Sequence, residues 1–286
     1  MTFPTSATKP LRPHRGAAGR WAALVVSMAV ASFAFAAPAF AAAIPTNVPV
    51  TAASAGGYQG PWLAVNPVNS RQLATSFQDA NGADCWLGLS NDGGATWKQV
   101  ALVGPAGHAA LKTLSAGFIK CARPSLTFGP DGTLYYAYGA GQAGFPAYHV
   151  VDLLTSTDGG RTFGDPVAID TQPLPSSGNI NDQIPRMATD PKTGRLYVAF
   201  QQVTGRFKTE SSLVAFSADH GKTFSKPVQV NLPGDSSGPQ IPSVGPGGRV
   251  YVTFRSGPSA AASDASIPEL IQVVFSTNHG ASFSAR

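Results

Sequence analysis

The chain is poor in the residue types on which solution chemistry usually depends. Only 12% of its 286 residues are charged, and it has two cysteines and three methionines. After residue 41 the only glutamates are Glu210 and Glu269, and the four histidines, His108, His149, His220 and His279, are scattered. Neither cysteine has the CxxC spacing of a metal or redox centre, so no metal site and no cofactor is expected. Long apolar runs are missing too, apart from Trp21 to Phe35, where about 15 residues fall short of the roughly 20 that span a bilayer. That run follows Lys9, Arg12, Arg15 and Arg20 with no acid between them, and it ends in Ala39-Phe40-Ala41. A charged start, a short apolar stretch and an A-x-A site read as a signal peptide over residues 1–41, giving a secreted, periplasmic or cell-envelope protein without stable membrane insertion. Once the leader is set aside, 16 basic residues face 15 acidic ones, a net charge of +1. The high sequence pI of 9.3 therefore gives no support to a nucleic-acid partner.

What is present is repetition. SNDGGATW begins at Ser90, STDGGRTF at Ser156, SADHGKTF at Ser217 and STNHGASF at Ser276, with starts 66, 61 and 59 residues apart. Periodicity on this scale signals an array of similar units. The phrase reads S-x-D-x-G-x-T-aromatic. Its carboxylate (Asp92, Asp158, Asp219, with Asn278 in the last copy) can accept turn amides while the glycine takes positive φ. The aromatic then returns apolar area to a core. Before each phrase lies a run that opens on proline, turns through polar or glycine residues and resumes in β-branched and aromatic residues; these runs begin at Pro61, Pro124, Pro185 and Pro242. Each is a hairpin. A third strand precedes each phrase and a fourth follows in Lys98 to Val103, Pro166 to Asp170 and Pro227 to Asn231. Four antiparallel strands per unit, repeated radially, make an all-β propeller.

These octapeptides resemble the Asp-box repeats of the bacterial neuraminidase, or sialidase, propeller family, and the resemblance covers nearly all of residues 42–286, read as one domain. It implies that each octapeptide is the turn between the third and fourth strands of a blade. The last octapeptide is followed by only three residues. Two readings stay open: the segment Ile44 to Thr51, which is similar to GDPVAID and SKPVQVN, closes a ring of four blades, or the four blades belong to a larger propeller, the family norm being six. In an oxidising compartment Cys85 and Cys121 either form a bridge across the first blade boundary or remain two buried thiols. The bridge would close a loop of about 37 residues, worth roughly 3 to 4 kcal/mol.

Strand alternation puts the octapeptides on one face and the starts of the first and third strands on the other. That second face gathers Gln59, Arg123, Asp182, Gln183, Arg186, Gln240, Arg255, Glu210 and Glu269. The sialidase resemblance implies a three-arginine carboxylate clamp, a tyrosine nucleophile activated by glutamate, and an aspartate acid/base. Arg123, Arg186 and Arg255 would be the clamp, since a guanidinium fork matches a carboxylate. The Arg-Ile-Pro motif of the family is absent: the string nearest to it, Gln183-Ile-Pro-Arg186, has its arginine after the proline. The expectation is a binding module for glycan or extracellular protein. The alternative is an exo-sialidase-type glycoside hydrolase using the same face.

Overall fold

A computed structural model of the chain describes residues 47–51, 57–80, 84–104, 118–142, 148–170, 180–204, 209–232, 235–258 and 270–284. Residues 1–41, the expected leader, lie outside them, as do His108 and Glu269. The regular structure there is strand, apart from one 3-10 turn at Pro246–Gly248.

Four antiparallel sheets follow one another along the chain. Blade 1 is β1 (Tyr58–Asn66), β2 (Asn69–Asp79), β3 (Cys85–Ser90) and β4 (Lys98–Val103). Blade 2 is β5 (Phe118–Phe128), β6 (Leu134–Gln142), β7 (Tyr148–Ser156) and β8 (Val167–Ala168). Blade 3 is β9 (Ile180–Thr189), β10 (Leu196–Thr204), β11 (Thr209–Ser217) and β12 (Val228–Gln229). Blade 4 is β13 (Asp235–Ser237), β14 (Ile241–Val244), β15 (Val250–Pro258) and β16 (Leu270–Ser276). In blade 4 both β13 and β14 pair with β15, on the side away from β16, so its four strands fill three positions. The first strands pack side by side, β1 on β5, β5 on β9 and β9 on β14. No comparable contact joins β14 to β1 among the described residues, so the blades form an open arc. Among the described residues the four-blade ring expected as one alternative is not closed: residues 47–51 are not paired with β16, and the Val50 side chain instead lies over Gly88 of blade 1.

The core sits between blades because the strands are apolar on both faces. Side chains alternate with a period of two. In β6, Tyr136 and Tyr138 face blade 1 with Leu87, Leu89 and Leu126, whereas Tyr135 and Ala137 face blade 3 with Met187, Val198 and Phe200. A third cluster joins Ala199 and Val214 of blade 3 to Val252, Phe254 and Val274 of blade 4. The octapeptide aromatics Phe163, Phe224 and Phe283 pack against the three clusters in turn.

Each octapeptide is a self-satisfied corner. The Ser90 hydroxyl donates to Asp92 (2.7 Å) and accepts from the Gly94 amide (2.9 Å), while Asp92 accepts the amide and hydroxyl of Thr96 at 2.9 and 2.5 Å. The same bonds recur around Asp158 and Asp219. These bonds hold Asp158 at a pKa of about 2, Thr162 contributing most. In the last copy Asn278 accepts the Ser282 amide at 3.0 Å, but its Nδ2 donates to the Ser282 hydroxyl at 2.8 Å, reversing that bond. Glycine at the fifth position is what lets the corner touch the preceding blade. Gly221 has φ +82°, and a Cβ there would stand 2.5 Å from Leu153 Cδ2. Gly221→Ala is expected to destabilise the protein by roughly 1 to 3 kcal/mol through left-handed strain and overpacking. Denaturant unfolding checks this; an unchanged midpoint would mean that the blade boundary is looser than these contacts require.

Candidate functional site

The first strands are bent where they begin. Proline disfavours the right-handed helical region for the residue before it. Gly60, Arg123 and Ile184 each precede a proline and take φ of +64°, +46° and +58°, and each strand slips register around that residue. Bulges of this kind re-aim side chains and collect beside functional sites. The residue following each proline is Trp62 in blade 1, Ser125 in blade 2 and Arg186 in blade 3. Two of them meet across the arc: the Arg186 guanidinium lies 4.7 Å over the Trp62 ring, a cation–π contact. Ser125 is fully buried, and its Oγ has no hydrogen-bond partner among the described residues.

Arg186 is half-buried and donates to the Pro185 carbonyl at 2.8 Å. Its pKa is pushed below the ordinary arginine range, first by burial and then by the positive charge of Arg123. The positive charge of Arg123 is thus felt by the Arg186 guanidinium at the mouth of the arc. No carboxylate forms an ion pair with either among the described residues. Arg123 is exposed and braced from behind. Its backbone amide donates to the Gln78 side-chain carbonyl, the Ser76 hydroxyl donates to the Pro124 carbonyl at 3.2 Å, and Cys121, two residues earlier, is bonded to Cys85.

Arg255 is exposed on β15, opposite Ile271, and its carbonyl accepts the Gly238 amide at 3.3 Å. Glu210 accepts from the Gln201 amide at 3.2 Å, at the far side of blade 3. Asp182 is placed in β9 opposite Gln202, with its side chain outside the described residues, as Glu269 is altogether. Sequence reasoning missed Trp62, Gln78 and Ser125. The signal for Trp62 was its place after Pro61, the place Arg186 has after Pro185. Also unforeseen is Asp152, 7% exposed, whose pKa burial raises to about 6, with the nearby Tyr138 hydroxyl offsetting part of that rise. Tyr138 is completely buried, so this tyrosine–carboxylate pair has no route to a sugar.

At the opposite end of the first strands is a cavity of about 390 Å³, lined by Val65, Pro67, Phe128, Pro130 and Pro191 with no charged group. Among the described residues no cluster of His, Cys, Asp and Glu could hold a metal, and no helix is long and apolar enough to cross a membrane.

Comparison with solved structures places this architecture among sialidase-like propellers. A Hadza microbial sialidase superposes with a TM-score of 0.56 at 20% identity, over 80% of this chain and 46% of its own. The Penicillium chrysogenum alpha-L-arabinanase complexed with arabinobiose gives 0.56 at 16% identity, over 78% of this chain and 64% of its own. The Fusarium graminearum GH93 alpha-L-arabinofuranosidase gives 0.57 at 16%, over 78% and 63%. The chain thus spans about half to two thirds of the length of these structures, and at such identities the likeness is one of fold. No protein-family model and no curated protein matches the sequence.

Proposed function

We propose that this sialidase-like propeller is an exported carbohydrate-binding protein that recognises a carboxylate-bearing sugar at the mouth of its arc. The observation that carries the reading is the Arg123–Arg186 pair, two adjacent cations with no described carboxylate between them, one of them half-buried. Holding two like charges together is unfavourable until an anion arrives. A carboxylate would relieve it through charge-assisted bonds, and partial burial of Arg186 strengthens that interaction over one in bulk water. Trp62 fixes the Arg186 plane and offers an apolar edge to a sugar ring. The glycosidase fold of the neighbours supports a glycan ligand, and the Cys85–Cys121 bridge supports export.

Binding is the reading that the two arginines and Trp62 support. Titration calorimetry with sialyllactose and with lactose tests it. The acidic sugar is expected to bind more tightly, and Arg186→Ala to weaken it about 10- to 100-fold, the range of a hydrogen bond to a charged group. Equal affinity for both sugars, or an unaffected Arg186→Ala variant, would refute the clamp. Sustained hydrolysis of a fluorogenic sialoside would replace binding with catalysis. N-terminal sequencing of the exported chain tests the leader, with cleavage expected after Ala41.

A further inference from the structure

The boundaries from blade 2 to blade 3 and from blade 3 to blade 4 are made from the same two halves. The receiving half is a blade's outward face, formed around a second-strand aromatic and the residues one and three places before the octapeptide serine. The inserting half is the octapeptide glycine of the following blade. Gly221 seats against Tyr135 and Leu153 of blade 2, and Gly280 against Tyr197 and Phe216 of blade 3.

Blade 4 repeats the receiving half of blade 3. The Tyr251 and Phe275 rings are 6.4 Å apart, as are those of Tyr197 and Phe216. Arg249 lies 5.0 Å over Phe275, as Arg195 lies 4.7 Å over Phe216. Yet this face is uncovered. Val273 is 59% exposed, whereas its repeat equivalents Leu87, Leu153 and Val214 are at most 1% exposed. The unseated inserting half is blade 1. The atoms nearest to Gly94 belong to its own blade, and Leu63 and Val65 are about half exposed where blade 2 has buried Leu126 and Phe128. Among the described residues one receiver is thus unfilled and one insert free.

The N-terminal segment adds an independent observation. Val50 lies over Gly88, the position occupied by Leu154, Ala215 and Val274 in the other blades. At inner boundaries Ile169 and Val230, which follow the fourth strands β8 and β12, join the clusters containing Ala215 and Val274. Residues 47–51 thus rest on blade 1 where the outer edge of a preceding blade belongs, and blade 4 has no strand at its outer position among the described residues.

We propose that blade 4 of one copy receives blade 1 of a second copy, whose residues 47–51 then flank β16 of the first. The contact is heterologous, so two copies close on each other if the rotation allows and otherwise add in series. Light scattering coupled to gel filtration of the full chain tests this, with Val273→Asp to spoil the receiver and Leu63→Asp to spoil the insert. Wild type is expected to run as a dimer or larger, each variant alone as a monomer, and an equal mixture of the two as a one-to-one complex, because the mixture retains one intact receiver and one intact insert. Monomeric wild type overturns the proposal. So does Leu63→Asp that still self-associates, which would mean pairing through blade 4 alone, or a mixture that stays monomeric. Both substituted side chains are exposed; should circular dichroism show either variant unfolded, Ile271→Asp and Val65→Asp take their places with the same expectations.

Discussion

Replacing Cys85 and Cys121 together with alanine is expected to lower stability by roughly 3 to 4 kcal/mol, a fall in Tm of about 6 to 16 °C for a domain of this size. The bridge spans a separation of 36 residues, and both cysteines are fully buried. It closes the boundary between β3 and β5, so its loss frees the unfolded chain and also loosens the base on which Arg123 stands. Calorimetry of the double variant checks the stability. Titration with sialyllactose on the same sample, held well below its Tm, should show weaker binding, because Cys121 and Gln78 are what hold Arg123 in its left-handed conformation. Identical melting of variant and wild type would mean that the loop is as constrained without the bond as with it.

The second large effect concerns pH. Asp152 has a folded pKa of about 6 against an ordinary 3.8, so the folded state holds its proton more firmly than the unfolded chain does. Stability contributed by this group is therefore present below about pH 4 and lost as pH rises to about 6. The loss is about 3 kcal/mol for a shift of this size. The corner aspartates act in the opposite sense. Asp158 and Asp219, each near a pKa of 2, stabilise above about pH 4 and lose that contribution on further acidification, but they are solvent-exposed and screening keeps the effect small. The window between pH 4 and 6 accordingly belongs to Asp152. Asp152→Asn should remove the slope there and leave the variant more stable than wild type at pH 8 by urea unfolding. Parallel pH profiles for the two proteins would show that the carboxylate is not buried as its surroundings indicate.

The local features were legible in the sequence because their causes are local. Each corner is settled by eight residues, and the hairpins announce themselves by alternation and by turns such as Asp131-Gly132. The cysteine pair could be weighed from export and strand position, with free thiols as the alternative; the structure settles it as a bridge. The mouth was legible only in part. Arg123 and Arg186 could be assigned to one face from strand direction, but the seating of Arg186 over Trp62 goes with register slips at three prolines, which alternation alone does not reveal. Arg255 has the same topological address, but blade 4 breaks its first strand at Gly238–Gln240, where the other blades have a continuous bent one. The burial of Asp152 depends on Tyr138 packing toward blade 1, a contact between distant parts of the chain.

The corner has a consequence for how such a chain can change. Its polar groups are satisfied from within a single octapeptide, and it meets the neighbouring blade mainly through one glycine and one ring. A duplicated or deleted unit would thus arrive with its own bonding complete and would need only an apolar cradle beside it. The number of blades is consequently free to drift between descendants, while the composition of the joint between any two of them is not.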